Sequence, residues 1–216
     1  MKGFRDRTEA GRQLGQALAA RLGARENILV LGLPRGGVPV AFEVAQTLHA
    51  PLDVIVVRKL GVPGWEELAM GALASGGVQV LNERVARDIP PEVIEAVVAR
   101  ETLELERRET AFRGSAPPPA IAGRTVVVVD DGVATGATLR AALQVLRQLK
   151  PDRLIAAVPV ASPEAQAELA PLVDDWVALI TPEDFRAVGQ WYEDFPQTPD
   201  AEVVRLLAAA RAGPTG

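Results

Sequence analysis

The sequence predicts an α/β fold, in which a central and mostly parallel β-sheet is flanked by helices. Short apolar runs alternate with helical stretches along most of the 216 residues, and this alternation is typical of strands joined by right-handed crossovers. One run, Val126–Val129, has four β-branched residues in succession, which indicates a strand buried on both faces. A chain of this length can bury a sizeable core, so we expect one domain over residues 1–216.

The first half of the chain combines an amphipathic helix with short apolar runs. Leu14, Leu18 and Leu22 recur every four residues and Gly23 follows them, which predicts a helix over Thr8–Leu22. Turn residues punctuate the runs that come next. In order, we expect a strand (Ile28–Gly32), a turn (Pro34–Gly37), a helix (Val38–Leu48), a strand (Asp53–Val57), a Gly/Pro loop (Arg58–Gly64), and strands at Leu68–Leu73 and Val78–Leu81 joined by a Gly76-Gly77 hairpin turn.

The second half opens with a long charged stretch, Asn82–Arg113, which is expected to be helical. Its strongest part starts at Pro91, because proline is well placed near the beginning of a helix. Ser115–Pro119 is a short stiff linker rather than a domain boundary. The elements expected after it are a strand (Thr125–Val129), a helix (Leu139–Leu149), a strand (Leu154–Val160), a helix (Pro163–Ala170), a strand (Trp176–Ile180) and a last helix from about Asp200 to Arg211.

Composition excludes several classes of function. The formal net charge is −5, with charges of both signs scattered and no basic block, so we expect neither nucleic-acid nor membrane-surface binding. The chain has no cysteine, which excludes disulfides, thiol catalysis and cysteine-based zinc sites. No apolar run approaches the ~20 residues that span a bilayer, and residues 1–11 lack the apolar core of a secretory signal. The expected location is therefore the cytoplasm.

Two adjacent acids, Asp130 and Asp131, stand where the Val126–Val129 strand ends, ahead of a run of small and hydroxyl residues and a helix start. Anions are favoured at a helix N-terminus because its free N–H groups point at them. Carboxylates accept hydrogen bonds from hydroxyls, while amides and threonines donate to phosphate. A ligand with a phosphate and vicinal hydroxyls fits this spot, and the alternative is a solvated acidic turn with an ordinary Thr N-cap.

This segment resembles the PRPP-binding signature of type I phosphoribosyltransferases (PRTases): a hydrophobic strand, an acidic pair and a small loop that ends in Thr-Gly-x-Thr. The resemblance implies that Asp130 and Asp131 take the ribose 2′- and 3′-hydroxyls. It also implies the type I PRTase fold, with residues 82–113 as a helical insertion and residues 181–216 as a small C-terminal hood. The loop that would hold the 5′-phosphate consists of Val133, Ala134, Thr135, Gly136, Ala137 and Thr138.

A second loop, Pro34-Arg35-Gly36-Gly37, resembles the diphosphate loop of the same family, which often holds a non-proline cis peptide. Glycines let backbone N–H groups approach a bulky anion closely, and arginine adds a planar donor fork suited to phosphate. A tight strand-to-helix turn is the alternative. The family fold places the strands before the two loops side by side. Arg58 and Lys59 would add two cations that stabilise the leaving diphosphate.

Residues Leu60–Gly76 occupy the position of the flexible lid loop in this family, where a lid would exclude water from a hydrolysis-prone cation. The segment contains no Lys or Arg, so any further cations must come from elsewhere. Glu66 and Glu67 are its only acids. Glu67, or in its place Glu66, is the candidate general base, and the alternative is that both are solvated loop charges.

The chain departs from the family pattern at two positions. Gly132 stands where the signature usually has an aliphatic residue, and Ala134 stands where hypoxanthine-guanine enzymes carry an Asp for the purine N7 proton. Adenine and uracil enzymes also have Ala there, so only the hypoxanthine-guanine mode is excluded. The hood is rich in aromatic residues, which could stack on a planar acceptor or fill a gap under the C-terminal helix. The acceptor-pocket residues are expected to be Phe185, Trp191 and Tyr192.

The resemblance implies an enzyme that transfers the 5-phosphoribosyl group of PRPP to a nitrogenous base or similar acceptor and releases diphosphate. Mg²⁺ would arrive with PRPP, without a metal site built by the protein, and a homodimer is expected by analogy. Three other functions remain open: a PRPP- or nucleotide-binding regulator without transferase activity, a phosphosugar-binding module, and a PRPP hydrolase. A PRPP-forming diphosphokinase would need a nucleotide site, and the Walker Gly-Lys-Ser/Thr motif is absent.

Overall fold

A five-stranded parallel sheet is the centre of the structure, a computed structural model that describes residues 3–23 and 27–212. The elements, numbered along the chain, are α1 (Arg7–Leu22), β1 (Ile28–Gly32), α2 (Gly37–Thr47), β2 (Leu52–Val54), β3 (Val57–Val62), β4 (Trp65–Ala74), β5 (Val78–Leu81), α3 (Glu83–Ala86), α4 (Pro91–Arg113), β6 (Thr125–Val129), α5 (Ala137–Gln148), β7 (Arg153–Val160), α6 (Pro163–Leu169), β8 (Asp175–Ile180) and α7 (Asp200–Ala212). The strand order of the parallel sheet is β2-β1-β6-β7-β8, which confirms the predicted α/β class. The expected domain and hood extend to residues 213–216, which lie outside the described range.

Helices cover both faces of the parallel sheet and bury β1, β2 and β6 completely, whereas the edge strand β8 is partly exposed. In β1, Val30 packs in the layer that contains α1, α2 and α7, whereas Leu29 and Leu31 pack in the layer that contains α5. The four valines of β6 have no exposed surface. Burial on both faces removes the need for a polar face, and this explains why the β6 run shows no alternation in the sequence.

A second sheet of three antiparallel strands, in the order β3-β4-β5, stands beside the first. This sheet corrects two expectations. An irregular loop was expected at Arg58–Gly64 and a flexible lid at Leu60–Gly76, but these segments form the hairpin of β3 and β4. The chain turns at Gly64, whose φ of 80° suits glycine. Leu60 and Met70 on the two strands are fully buried, so this hairpin adds to the core instead of remaining an irregular loop.

The Asn82–Arg113 stretch is helical, as expected, and consists of a short helix, α3, and a helix of 23 residues, α4. The C-terminal end of α4 is anchored by Arg113, whose buried guanidinium donates to Asp53 at 2.8 Å and to the carbonyl of Val54. Glu109 pairs with the same guanidinium at 2.7 Å. This network fixes α4 against the end of β2.

None of the helices in the described part of the chain combines the length and the apolar character that a bilayer crossing requires.

The hood is joined to the beginning of the chain by backbone hydrogen bonds. The Phe4 amide donates to the Trp191 carbonyl at 2.7 Å, and the amides of Glu193 and Asp194 donate to the carbonyls of Phe4 and Arg5. The last helix, α7, then packs on α2 and α4. The N-terminal segment is therefore part of the hood, and it places the first turn of α1 next to the carboxyl ends of β1 and β6.

Candidate active site

The two loops singled out in the sequence leave neighbouring parallel strands. Gly32 at the end of β1 is paired with Val129 at the end of β6, and the amide of Leu33 donates to the carbonyl of Val129 at 2.9 Å. The strand order changes direction at β1, since β2 lies on one side and β6 on the other. Ligands of open α/β sheets bind at such reversals, and the predicted adjacency of the two strands is confirmed.

The glycine pair of the first loop lies directly against the acid pair of the second. A Cβ atom on Gly37 would stand 2.7 Å from the Val129 carbonyl oxygen and 2.9 Å from Asp130 Cα, and one on Gly36 would stand 2.7 Å from Asp131 Cγ. The backbone contacts leave no room for a side chain at position 37, and a side chain at position 36 would displace the Asp131 carboxylate. The peptide bond between Pro34 and Arg35 is cis.

Arg7, at the first position of α1, is a site residue that the sequence did not indicate. Its guanidinium pairs with Asp131 at 2.8 Å, lies 3.8 Å above the centre of the Phe195 ring, and donates to the Pro196 carbonyl at 2.7 Å. The hydroxyl of Tyr192 donates to the Asp131 backbone carbonyl at 2.6 Å. The start of α1 and the hood together hold Asp131 in place.

Burial controls the protonation of the acid pair. Loss of hydration raises the pKa of Asp130 well above its usual value, and the neighbouring Asp131 charge raises it further. Burial also raises the pKa of Asp131, although the charge of Arg7 opposes that effect. Ionising both groups in the free protein therefore costs free energy. A ligand that donates hydrogen bonds from hydroxyls would favour the ionised form.

The loop after Asp131 is fixed at its base and open at its tip. Val133 exchanges backbone hydrogen bonds with Val160 and Ser162, and the Ser162 hydroxyl donates to the Ala134 carbonyl at 2.7 Å. Beyond this base, the backbone N–H groups of residues 134–139 donate to no described residue. These free donors lead into the first turn of α5, and this is the arrangement that binds anions.

Gly136 begins helix α5 in the left-handed conformation, with a φ of 73° and no side-chain cap. A Thr N-cap, the alternative explanation of this sequence, is therefore not present.

The departure at Gly132 also has a structural reason. A Cβ atom there would stand 2.5 Å from Val188 Cγ1, so a hood side chain fills the space that an aliphatic residue would need.

Arg35, Arg58 and Lys59 line one cleft of about 510 Å³ beside the Pro34–Gly37 loop. The guanidinium of Arg58 pairs with Glu101 of α4 at 2.7 Å. The cleft is completed by side chains that the sequence did not single out, among them Arg107 and Arg108 of α4 and Asp200 at the start of α7. A charged helix face usually indicates solvent exposure, and for this reason the two α4 arginines gave no signal of their own in the sequence.

Glu67 is not brought to the acid pair. Its carboxylate is fully exposed, and its one described partner is the ammonium of Lys59 at 3.3 Å. The Glu66 carboxylate accepts from the amide of Gly64 across the turn of the hairpin. The interpretation as solvated charges therefore holds for both residues, and the assignment of Glu67 as general base is corrected.

The expected aromatic acceptor pocket is also corrected, because Trp191 and Tyr192 are core residues. They pack with Phe4, Val160 and Ile180 in a small buried cluster. The gap that they fill lies between the N-terminal segment and the ends of β7 and β8, not under α7. Of the three expected residues, only the half-buried Phe185 borders an open cleft near the phosphate loop, which it lines together with Ala134 and Thr135.

A larger cavity of about 760 Å³ lies between the antiparallel sheet and α5. Ala72, Val80 and Leu81 are among the apolar residues of its wall. Residues of the phosphate loop line its other side. This cavity and the cationic cleft share Val57, Lys59 and Thr138, so the two spaces meet at the end of the phosphate loop.

Comparison with known proteins identifies relatives over most of the chain. The family described as "Phosphoribosyl transferase domain" matches residues 7–189. A crystal structure of TT1426 from Thermus thermophilus is 47% identical, with a TM-score of 0.88 and coverage of 97% of this chain and 99% of that one. Similarity over such a length shows that the two chains share one fold.

Two curated relatives carry functional names. The protein named "Putative phosphoribosyl transferase Rv0571c" from Mycobacterium tuberculosis H37Rv is 50% identical over 212 residues, which cover 97% of this chain and 47% of that protein. The "Bifunctional protein PyrR" of Pelotomaculum thermopropionicum is 28% identical over 137 residues, covering 61% of this chain and 71% of PyrR. The chain thus spans about half the length of the mycobacterial relative.

Proposed function

Because the chain belongs to the phosphoribosyl transferase domain family, we propose that it transfers the 5-phosphoribosyl group of PRPP to a nitrogenous acceptor and releases diphosphate. One observation carries this proposal. The acid pair at the end of β6 and the Gly36-Gly37 turn after β1 touch each other, with free loop amides on one side and a cationic cleft on the other. The acid pair matches the ribose hydroxyls of a single ligand, the loop amides match its 5′-phosphate, and the cationic cleft matches its diphosphate.

Each part of the proposed site has a distinct role. Asp130 and Asp131 accept from the ribose hydroxyls and orient the sugar. The free amides of residues 134–139 donate to the 5′-phosphate. In the reaction, the C1′–O bond breaks with its electron pair moving to diphosphate, a C1′–N bond forms to the acceptor, and the acceptor nitrogen loses its proton to solvent water. Arg35, Arg58 and Lys59 stabilise the charge that develops on the leaving group, and Mg²⁺ enters with the substrate on its phosphate and hydroxyl oxygens.

The acceptor is assigned to the 760 Å³ cavity beside α5. That space adjoins the phosphate loop and has apolar residues in its wall, which suits a planar heterocycle better than the cationic cleft does. In the hood, Tyr192 and Phe195 pack on one another, with ring centroids 4.7 Å apart, and Phe185 is the expected pocket residue that borders an open cleft.

Incubation with PRPP, Mg²⁺ and a panel of nitrogenous bases tests the function, with diphosphate release as the readout. Release that depends on one base establishes the transferase and identifies its acceptor. Release without any base indicates hydrolysis of PRPP. PRPP binding without release under every condition contradicts the transferase and favours a binding or regulatory protein.

The Arg35→Ala variant is expected to weaken the binding of PRPP and of inorganic diphosphate about tenfold. Arg35 lines the cationic cleft and is not part of the loop of residues 133–138. Hydrogen bonds to charged groups contribute about 1.5–3 kcal/mol to binding, and the solvent exposure of Arg35 reduces this contribution. Binding of ribose 5-phosphate should change less than about twofold. Isothermal titration calorimetry measures all three ligands, and Arg205→Ala, which removes an exposed charge outside the cleft, is the control. Equal losses for ribose 5-phosphate and PRPP would contradict the role of Arg35.

A further inference from the structure

Helix α4 presents two arginines to the cationic cleft. Arg107 and Arg108 line it together with Ala111 and Phe112 of the same helix. These residues follow Glu104 by three, four, seven and eight positions, so all of them lie on the same face of the helix. Arg107 and Arg108 both pair with Glu104, at 2.8 and 3.0 Å. The helix is anchored by the buried Arg113 network, so the two guanidiniums stand on a rigid support.

Most of the charged residues that line the cleft are cations, and most of the acids that pair with them lie outside it. Five cationic side chains and one acid, Asp200, are among the lining residues. The other acids that pair with these cations are Glu67, Glu101 and Glu104, and none of them lines the cleft. Hydrogen bonds from the two α4 arginines lower the pKa of Glu104 to about 2, so it stays ionised and orients both guanidiniums. A concave space with this excess of positive charge suits a ligand with several negative charges.

The β3–β4 hairpin supplies Arg58 and Lys59 but no cation beyond them, since residues 60–76 contain no Lys or Arg. We propose that Arg107 and Arg108 are specificity-determining residues that extend the diphosphate site, binding the terminal phosphate of the leaving group next to Arg35, Arg58 and Lys59. The inference rests on the proposed function. The helical insertion thus replaces a cationic lid: as the C1′–O bond breaks and diphosphate takes the electron pair, the two guanidiniums donate to its outer oxygens.

The double variant Arg107→Ala with Arg108→Ala tests this inference by calorimetry with inorganic diphosphate, PRPP and ribose 5-phosphate. Diphosphate and PRPP affinity should fall at least about tenfold, whereas ribose 5-phosphate affinity should change less than about twofold. The control variant, Arg12→Ala with Arg205→Ala, removes two charges at exposed positions outside the cleft and should leave all three affinities within about twofold. The variant Arg107→Lys with Arg108→Lys, which retains charge, should recover part of the lost affinity.

Three outcomes overturn the inference. If Arg35→Ala weakens diphosphate binding but the α4 double variant does not, α4 takes no part and the proposed function stands. If ribose 5-phosphate affinity falls as much as diphosphate affinity, the arginines act on the site as a whole and do not select diphosphate. If the unaltered protein binds neither PRPP nor diphosphate, the proposed function fails and the inference fails with it. Thermal unfolding of each variant separates these results from a loss of folding.

Discussion

Replacing both acids, as Asp130→Asn with Asp131→Asn, is expected to weaken PRPP binding by about 2–4 kcal/mol, or about 30- to 900-fold. Each carboxylate offers a charge-assisted acceptor to a ribose hydroxyl, and such bonds contribute about 1.5–3 kcal/mol each without being fully additive. The site provides both acceptors at the end of one rigid strand. Calorimetric titration with PRPP and Mg²⁺ measures the loss.

The matched control for the acid pair is Asp184→Asn with Asp194→Asn, which removes the same charge from two exposed positions of the hood. Its PRPP affinity should stay within about twofold of the unaltered protein. Arg7 would lose its ionic partner in the test variant, so thermal unfolding should accompany the titration. Unchanged affinity in a folded Asp130→Asn/Asp131→Asn protein would remove the acid pair from the ribose site.

The second large effect is expected on stability. Asp53→Ala should lower the free energy of unfolding by about 3 kcal/mol, because it removes a partner of the buried Arg113 guanidinium. Arg113 is 5% exposed and Asp53 is 8% exposed, so water cannot replace the lost carboxylate. Glu109 still pairs with Arg113, which keeps the expected value at the lower end of the range of about 3–5 kcal/mol for a broken buried pair. Urea denaturation measures the change.

The double variant Asp53→Ala with Arg113→Met serves as the control for that prediction. It removes both buried charges and leaves Glu109 without its partner, but Glu109 is only half-buried and water can hydrate its carboxylate, so part of the lost stability should return. A single-variant loss below about 1 kcal/mol would show that the network contributes little. Because the network anchors α4, a large loss would also indicate that the positions of Arg107 and Arg108 depend on it.

The parallel sheet could be predicted because its strands carry a local signature. Apolar runs such as Ile28–Gly32 and Thr125–Val129 have the bounds of the observed strands. The antiparallel sheet was missed at β3 because Gly61, Pro63 and Gly64 suggest a loop. Burial of Leu60 and Val62 against other elements outweighed that local preference, as tertiary packing commonly does for short strands.

The site residues also divide into those that a local sequence pattern indicates and those that only tertiary packing brings to the site. The acid pair and the Pro34–Gly37 loop were predictable, because each follows directly from its own strand. Arg7 reaches Asp131 across 124 positions of sequence, and the α4 arginines reach the cleft only through packing. The burial of Trp191 depends on Phe4. No local pattern of residues contains such information.

Burial of the acid pair makes ligand binding a proton-linked event. The raised pKa values of Asp130 and Asp131 belong to the free protein, and hydroxyl donors from a sugar would lower them. Binding should therefore release protons in the pH range between the bound and free pKa values, and affinity should rise with pH through that range and then level off. The heat of binding should accordingly depend on the ionisation enthalpy of the buffer. Identical heats in PIPES and Tris throughout this range would show that the acids are already ionised before the ligand arrives.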